Sequence, residues 1–73
     1  KFSIVSLIKP QFEARREDIG RGGIVKDPKI HEKVCNEIEF WFLENFNDVK
    51  IEICESIIKG QKGNKEYFIF VSN

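Results

Sequence analysis

The sequence has no stretch that approaches the ~20 consecutive apolar residues that a helix needs to cross a bilayer. Its amino terminus also lacks the basic, then apolar, pattern of a signal peptide. We therefore expect a protein that neither enters a membrane nor is exported, and a cytoplasmic location. Because the chain has 73 residues and opens on a strand without a methionine, we also expect a piece of a longer protein.

Metal-binding and disulfide-forming residues are scarce. Cys35 and Cys54 are the only cysteines, too few for a disulfide framework or a metal knuckle, so reduced thiols in an intracellular protein are expected. The single histidine, His31, falls in the first turn of a predicted helix with no second ligand nearby. We expect a solvated side chain and no metal site.

An excess of charge of one sign is also absent, since 12 basic residues balance 12 acidic ones. This balance excludes a uniformly basic surface that binds nucleic acid indiscriminately. The distribution is less even, because residues 9–33 and 57–73 are mainly basic loops whereas residues 34–56 are mostly an acidic helix. If the loops lie on one side, the surface is polarised.

An apolar run from Phe2 to Ile8 predicts a buried strand. Pro10 cannot donate to a ladder and biases the preceding residue toward extended geometry, so Lys9 is predicted to be the last strand residue. Its ammonium should then lie at the rim of the sheet, where a lysine can take part in chemistry.

The middle of the chain predicts a loop and then a helix. Residues 13–26 are charged and glycine-rich without an apolar stripe, which indicates a long, mobile loop. Asp27 and Pro28 provide an N-cap and a first helical position, and Asn47 is placed to close the helix in the left-handed conformation. The apolar stripe of this helix consists of Ile30, Val34, Ile38, Trp41 and Phe42, widened by Cys35 and Phe46.

Two further strands follow. Residues 49–55 alternate apolar and polar and predict an edge strand, whereas residues 67–71 are apolar on both faces and predict a central one. A basic glycine turn at residues 59–64 separates them. The sequence thus predicts an α/β fold with one main helix and a three-stranded mixed sheet, in the order first, third, second, with the third strand antiparallel.

This topology brings Glu66, just before the third strand, to the same rim as Lys9. As cross-strand neighbours, the two would lie ~5 Å apart at Cβ and form a pair. The alternative is a surface salt bridge worth at most about 1 kcal/mol.

Two other patterns favour structural interpretations. The segments 20–23 and 60–63 match the GxxG loop of KH RNA-binding domains, but a four-residue glycine pattern is weak and the surrounding helix order is wrong, so turns are expected. Trp41 and the phenylalanines could stack on RNA bases, yet at helical or strand spacing they are expected in the core.

Three segments together resemble a known family: LIKPQFE at residues 7–13, GGIVKDP at 22–28 and KGNKEYF at 62–68. They look like the carboxyl-terminal part of the TlyA, or hemolysin A, family, whose members are similar to FtsJ-type ribose 2′-O-methyltransferases. The resemblance covers nearly all of the chain with its motifs in order, but only the last third or so of that family's catalytic domain.

The resemblance implies that residues 1–73 are the carboxyl-terminal part of a Rossmann-like, S-adenosylmethionine-dependent methyltransferase domain. The cofactor-binding half and an S4-like RNA-binding domain would lie outside the chain, so no cofactor-binding residue is expected here. The family methylates a cytidine 2′-oxygen of ribosomal RNA with a Lys-Asp-Lys-Glu tetrad. Lys9 matches the second lysine and Glu66 the glutamate. Whether Lys9 removes the proton or only positions the hydroxyl stays open.

The expected partner is ribosomal RNA or a ribosomal subunit, contacted by basic loop residues. The fragment alone should be inactive, should not bind S-adenosylmethionine and should self-associate through its exposed sheet edge. Nothing in the residues suits the membrane lysis that the name hemolysin implies. The alternative is a small RNA- or protein-binding module without catalysis. The candidate RNA-binding residues are Arg15, Arg16, Arg21, Lys26 and Lys62.

Overall fold

A computed structural model describes the backbone of residues 1–73 and every side chain except that of Gln61. One sheet carries a long helix on one of its faces. The elements in chain order are strand β1 (Ser3–Ile8), the short helix α1 (Pro10–Glu13), the long helix α2 (Pro28–Asn45), strand β2 (Lys50–Glu55) and strand β3 (Tyr67–Ser72), with 3-10 turns at Arg16–Asp18 and Gln61–Gly63.

The three strands lie in the order β1-β3-β2, which confirms the predicted order. Both hydrogen-bonded pairs are antiparallel, so the predicted mixed sheet is wrong. The reason is that β3 lies between β1 and β2, which run in the same direction but do not pair with each other. The register places Tyr67 opposite both Ile8 and Glu55.

The core lies between the sheet and α2. Its centre is formed by Ile8, Val34, Ile69 and Val71, each at most 2% exposed. The helix begins as predicted, because the Asp27 carboxylate accepts a hydrogen bond from the backbone N–H of Lys29 at 2.9 Å. The long helix is thus fixed against one side of the central strand.

The other face of the sheet is open. Exposed fractions are 61% for Val5, 44% for Leu7 and 38% for Phe70, and the alternation of a strand puts these side chains opposite those of the core. Strand β3 is central in the sheet, as its apolar pattern predicted. Only one face is covered within the described chain, because α2 is the only long helix it contains.

Several element ends differ from the prediction. Strand β1 ends at Ile8, and Lys9 caps α1 instead of ending the strand, because Pro10 starts a helical turn. Asp48, not Asn47, takes the left-handed conformation after α2, with φ of 54°. His31 is also misassigned by the pattern: it is 7% exposed, and its Nε2 donates to the carbonyl oxygen of Val25 at 2.8 Å.

Candidate active site

Lys9 lies at the point where β1 passes into α1. Its backbone is extended (φ −115°, ψ 93°), and its carbonyl oxygen accepts hydrogen bonds from the N–H groups of Phe12 at 2.9 Å and Glu13 at 3.1 Å. The side chain is half-buried, and its Nζ lies 5.9 Å from the centroid of the Phe12 ring. The cap therefore holds the Lys9 backbone firmly, while the ammonium rests over an exposed aromatic ring.

Glu66 immediately precedes β3 and is only 7% exposed. Its carbonyl oxygen accepts a hydrogen bond from the N–H of Ser56 at 2.8 Å, which extends the pairing of β2 and β3 by one step. Because Ile8 is opposite Tyr67, the next position after Ile8 and the one before Tyr67 fall at the same rim of the sheet. Lys9 and Glu66 are thus neighbours at this rim.

The direct pair of Lys9 with Glu66 that the sequence predicted is not formed. Among the side chains that the structure describes, the only ion pair within 4.0 Å joins Lys65 to Glu55. The helical turn that starts at Pro10 carries the chain out of the strand direction, so Lys9 does not continue the cross-strand ladder. The residue that contacts the carboxylate comes two positions later.

That residue is Gln11. Its Nε2 donates to Oε2 of Glu66 at 2.9 Å, and the contact is partly buried. The other amide atom, Oε1, is buried and has no hydrogen-bond partner among the described side chains. Sequence reasoning missed Gln11. The signal that could have found it is its position one residue after the proline that turns the chain back over the rim.

A glycine leaves room for the carboxylate. A Cβ on Gly60 would overlap Oε2 of Glu66, would lie 2.7 Å from its Cδ and would lie 3.1 Å from Nε2 of Gln11. The backbone of Gly60 is fixed by hydrogen bonds of its N–H to the carbonyl of Asn64 at 2.8 Å and of its carbonyl to the N–H of Gly63 at 3.2 Å. The rim therefore has a defined seat for Glu66, formed by Gln11 and Gly60.

The loop before α2 is tied to the turn before β3 by one asparagine. Asn64 is 3% exposed; its Oδ1 accepts from the N–H of Val25 at 3.0 Å, and its Nδ2 donates to the carbonyl of Gly23 at 3.0 Å. Lys62 adds a 2.7 Å hydrogen bond from Nζ to the carbonyl of Gly22. These contacts join the second and third sequence motifs into one structural unit beside the rim. Residues 13–26 were predicted to be mobile, but residues 22–25 of this loop are held by these hydrogen bonds.

The candidate RNA-binding cations are all exposed. Lys62 lies on Gly22, next to Arg21 in the chain, so these two cations belong to the same joined loop and turn. Arg15 instead lines a small groove against α2 with the acidic residues Glu13, Asp18 and Glu37 and the basic residue Lys33. Because the acidic side chains outnumber Lys33, the positive charge of Arg15 is partly offset. Arg16 and Lys26 are exposed on the loop between α1 and α2.

Two other titratable groups lie in the core layer. Burial raises the pKa of the Tyr67 hydroxyl, with Cys35 and Glu55 adding to the effect, and burial also raises the pKa of the Cys35 thiol, assisted by Glu39. Both groups are therefore held in their neutral forms near pH 7. Neither is suited to act as a base, and Cys35 and Cys54 are both free thiols.

Other kinds of site find no support in the described part of the chain. No group of His, Cys, Asp and Glu side chains among these residues is arranged to hold a metal ion. None of the helices described is both long and apolar enough to cross a bilayer. A surface groove of about 940 Å³, lined by α2 alone, runs along the outer side of that helix. It passes Phe40 and Trp41, which are 62% and 53% exposed, so the prediction that Trp41 lies in the core is wrong.

Comparison with known proteins decides the family. Residues 1–73 match the family described as FtsJ-like methyltransferase. The chain belongs to this family. Hemolysin A of Brachyspira hyodysenteriae is 47% identical over 64 residues, a match that covers 86% of this chain and 26% of that protein. The 16S/23S rRNA (cytidine-2′-O)-methyltransferase TlyA of Mycobacterium tuberculosis is 33% identical over 69 residues, covering 93% of this chain and 25% of that protein.

Solved structures give the same result. One from Streptococcus thermophilus, whose name also refers to hemolysin, superposes with a TM-score of 0.83 at 37% identity, covering 94% of this chain and 24% of the other. The chain thus spans about a quarter of the length of each of these relatives. This likeness confirms the resemblance that the three motifs indicated, and it supports methyltransferase activity at the level of the family.

Proposed function

We propose that this chain is the carboxyl-terminal part of a Rossmann-like, S-adenosylmethionine-dependent methyltransferase that modifies a ribose 2′-oxygen of ribosomal RNA in the cytoplasm. The observation that carries the proposal is the rim at which β1 ends and β3 begins. There a lysine and a buried glutamate are neighbours in a chain of the FtsJ-like methyltransferase family. Lys9 and Glu66 are the proposed catalytic residues.

The chain's own residues do not fit a cofactor site. Nucleotide cofactors bind at a turn that leads from a strand into a helix. The glycines at residues 20–23 follow a 3-10 turn, and those at 60–63 join two antiparallel strands. We therefore assign no described residue to S-adenosylmethionine. We place the cofactor-binding half, and an S4-like RNA-binding domain, in the rest of a protein of family length, so the 73-residue chain alone should be inactive.

The proposed role of this chain's residues is to assist the loss of the proton from the ribose hydroxyl. Methylation of a ribose hydroxyl replaces the oxygen–hydrogen bond by an oxygen–carbon bond as the methyl group leaves its donor, and the hydroxyl proton is released. The oxygen is a weak nucleophile until that proton is accepted or its developing charge is stabilised. Lys9 Nζ can do the first as a neutral amine and the second as an ammonium. Glu66, held in its seat, offers a carboxylate that draws the lysine over the reacting oxygen.

The exposed cations are proposed to bind the RNA backbone. Arg21 and Lys62 share the loop and turn that Asn64 joins, which puts positive charge beside the rim. Phosphate contacts of this kind position a nucleic acid without reading its sequence. Arg16 and Lys26 extend this surface, whereas Arg15 contributes less because acidic side chains share its groove.

The test is single-turnover methylation by a family-length protein that carries this chain. Ribosomal subunits are the substrate, and 2′-O-methylation is mapped on the RNA. We expect Lys9→Ala to lower the rate about 100-fold or more, because general-base and electrostatic groups contribute that much. Lys50→Ala is the matched control, since this exposed lysine lies at the opposite end of the sheet. RNA binding without any methylation would favour the non-catalytic module instead, and near-normal turnover by Lys9→Ala would remove Lys9 from the mechanism.

A further inference from the structure

One interaction at the rim, the hydrogen bond between Gln11 and Glu66, is not explained by fold stability. Glu66 is almost fully buried, yet its described partner is a neutral amide and not a cation. The same amide leaves its carbonyl oxygen buried without a partner among the described side chains. A buried polar atom that makes no hydrogen bond loses its interaction with water and gains nothing in return. This arrangement therefore lowers stability relative to an apolar filling of the same space.

From this cost we infer that Gln11 is a positioning residue for Glu66, an assignment that rests on the proposed methyltransferase function. The Nε2 group fixes Oε2 at 2.9 Å, and Gly60 supplies the space in which the carboxylate lies. Because the amide is neutral, it fixes the carboxyl group without forming an ion pair. The Lys9 side chain takes no part in this hydrogen bond and is therefore free to contact the ribose hydroxyl.

The geometry supports a positioning role in two ways. The donor and the space come from separate segments, α1 and the turn after β2, and both lie beside the same oxygen, Oε2 of Glu66. Gln11 also follows Lys9 by two residues across the rigid Pro10, so one short segment carries both the proposed reacting group and the group that orients its partner. A displacement of about 1 Å at such a site can cost about 100-fold in rate.

Kinetics of the family-length protein test the assignment. Gln11→Met removes the donor, and Gln11→Glu keeps the shape but replaces the donor with an acceptor. Each should lower kcat by roughly 10- to 100-fold with KM for the RNA and for the methyl donor unchanged. Glu13→Gln is the matched control, an exposed side chain of the same short helix that should leave kcat unchanged.

A merely structural role is excluded by a double-mutant cycle. If Gln11 acts through Glu66, Gln11→Met should have little further effect on kcat once Glu66→Gln is present, because the two residues act as one unit. Multiplicative losses would overturn the inference. The double substitution of both residues by methionine should be inactive yet melt at or above the temperature of the unsubstituted protein, because replacing both partners leaves no orphaned group. A markedly lower melting temperature would also overturn it.

A measurement independent of catalysis separates this inference from the proposed function. The Nε2 protons of Gln11 should show slowed exchange with solvent by NMR, and Glu66→Ala should abolish that protection. Unprotected Nε2 protons would overturn the positioning role even in an enzyme that methylates RNA. If these protons are protected in a protein that methylates no RNA, the proposed function is refuted. The catalytic role inferred for the hydrogen bond of Gln11 to Glu66 is then refuted as well.

Discussion

Gly60→Ala is the sharpest perturbation of the rim, because the added atom meets the Glu66 carboxyl group directly. The φ angle of Gly60 lies outside the left-handed region, so alanine fits its backbone, and only the added Cβ matters. That atom would overlap Oε2 of Glu66 and lie 2.7 Å from its Cδ, whereas ordinary contact begins at 3.4 Å, so the carboxyl group must move by more than about 0.7 Å. The overlapped oxygen is the one that accepts from Nε2 of Gln11 at 2.9 Å, so the shift disturbs that hydrogen bond.

The expected cost is that of an overpacked site with an unpaired buried carboxylate, about 1–3 kcal/mol in the free energy of unfolding. Denaturant unfolding followed by Trp41 fluorescence measures it. Without the clash the sign should reverse, since an alanine that fits its site stabilises by about 0.4–1 kcal/mol through the unfolded chain. Glu66→Ala removes the clash, so in that background Gly60→Ala should be neutral or stabilising. Stabilisation in the unsubstituted background would refute the reasoning.

Further predictions concern the thiols, the loop and the open sheet face. An alkylating reagent near pH 7 should label exposed Cys54 well before half-buried Cys35. The free energy of unfolding should fall as the pH rises above the ordinary thiol range, because the fold raises the pKa of Cys35 and the thiol therefore ionises more readily in the unfolded chain. Asn64→Ala should cost about 1–3 kcal/mol and abolish amide-exchange protection at Val25; unchanged protection would contradict the loop contact. The 73-residue chain should self-associate, and Phe70→Ser should weaken this in sedimentation, whereas a strictly monomeric parent would contradict it.

Local patterns predicted the strands and the long helix well. The cap formed by Asp27 and Pro28, the alternation in β2 and the apolar run in β3 are each decided by a few adjacent residues. The order of strands also followed, because the most apolar strand is the one that gains most from two neighbours. The element ends were less certain, since Pro10 is compatible both with a strand that stops and with a helix that starts.

Features that depend on how the loops fold could not be predicted. His31 is exposed or buried according to where Val25 lies, and no periodicity in either segment fixes that distance. The same holds for Asn64, whose contacts are 39 and 41 residues away in sequence. The family resemblance indicated Lys9 and Glu66. The hydrogen bond of Gln11 to Glu66, and the space that Gly60 leaves for the carboxyl group, emerge only when the two loops are placed together.

The absence of an ion pair between the described side chains of Lys9 and Glu66 has a chemical consequence for the proposed mechanism. A lysine fixed on the carboxylate would have its three donor positions partly used and its side chain already ordered. In the structure Gln11 takes that place, while the lysine rests over the exposed ring of Phe12. A substrate hydroxyl can then contact both groups, the fixed carboxyl group of Glu66 and the mobile amine of Lys9. On this view Phe12→Ala should change the resting position of Lys9 without removing either group, and should therefore alter kcat far less than Lys9→Ala does.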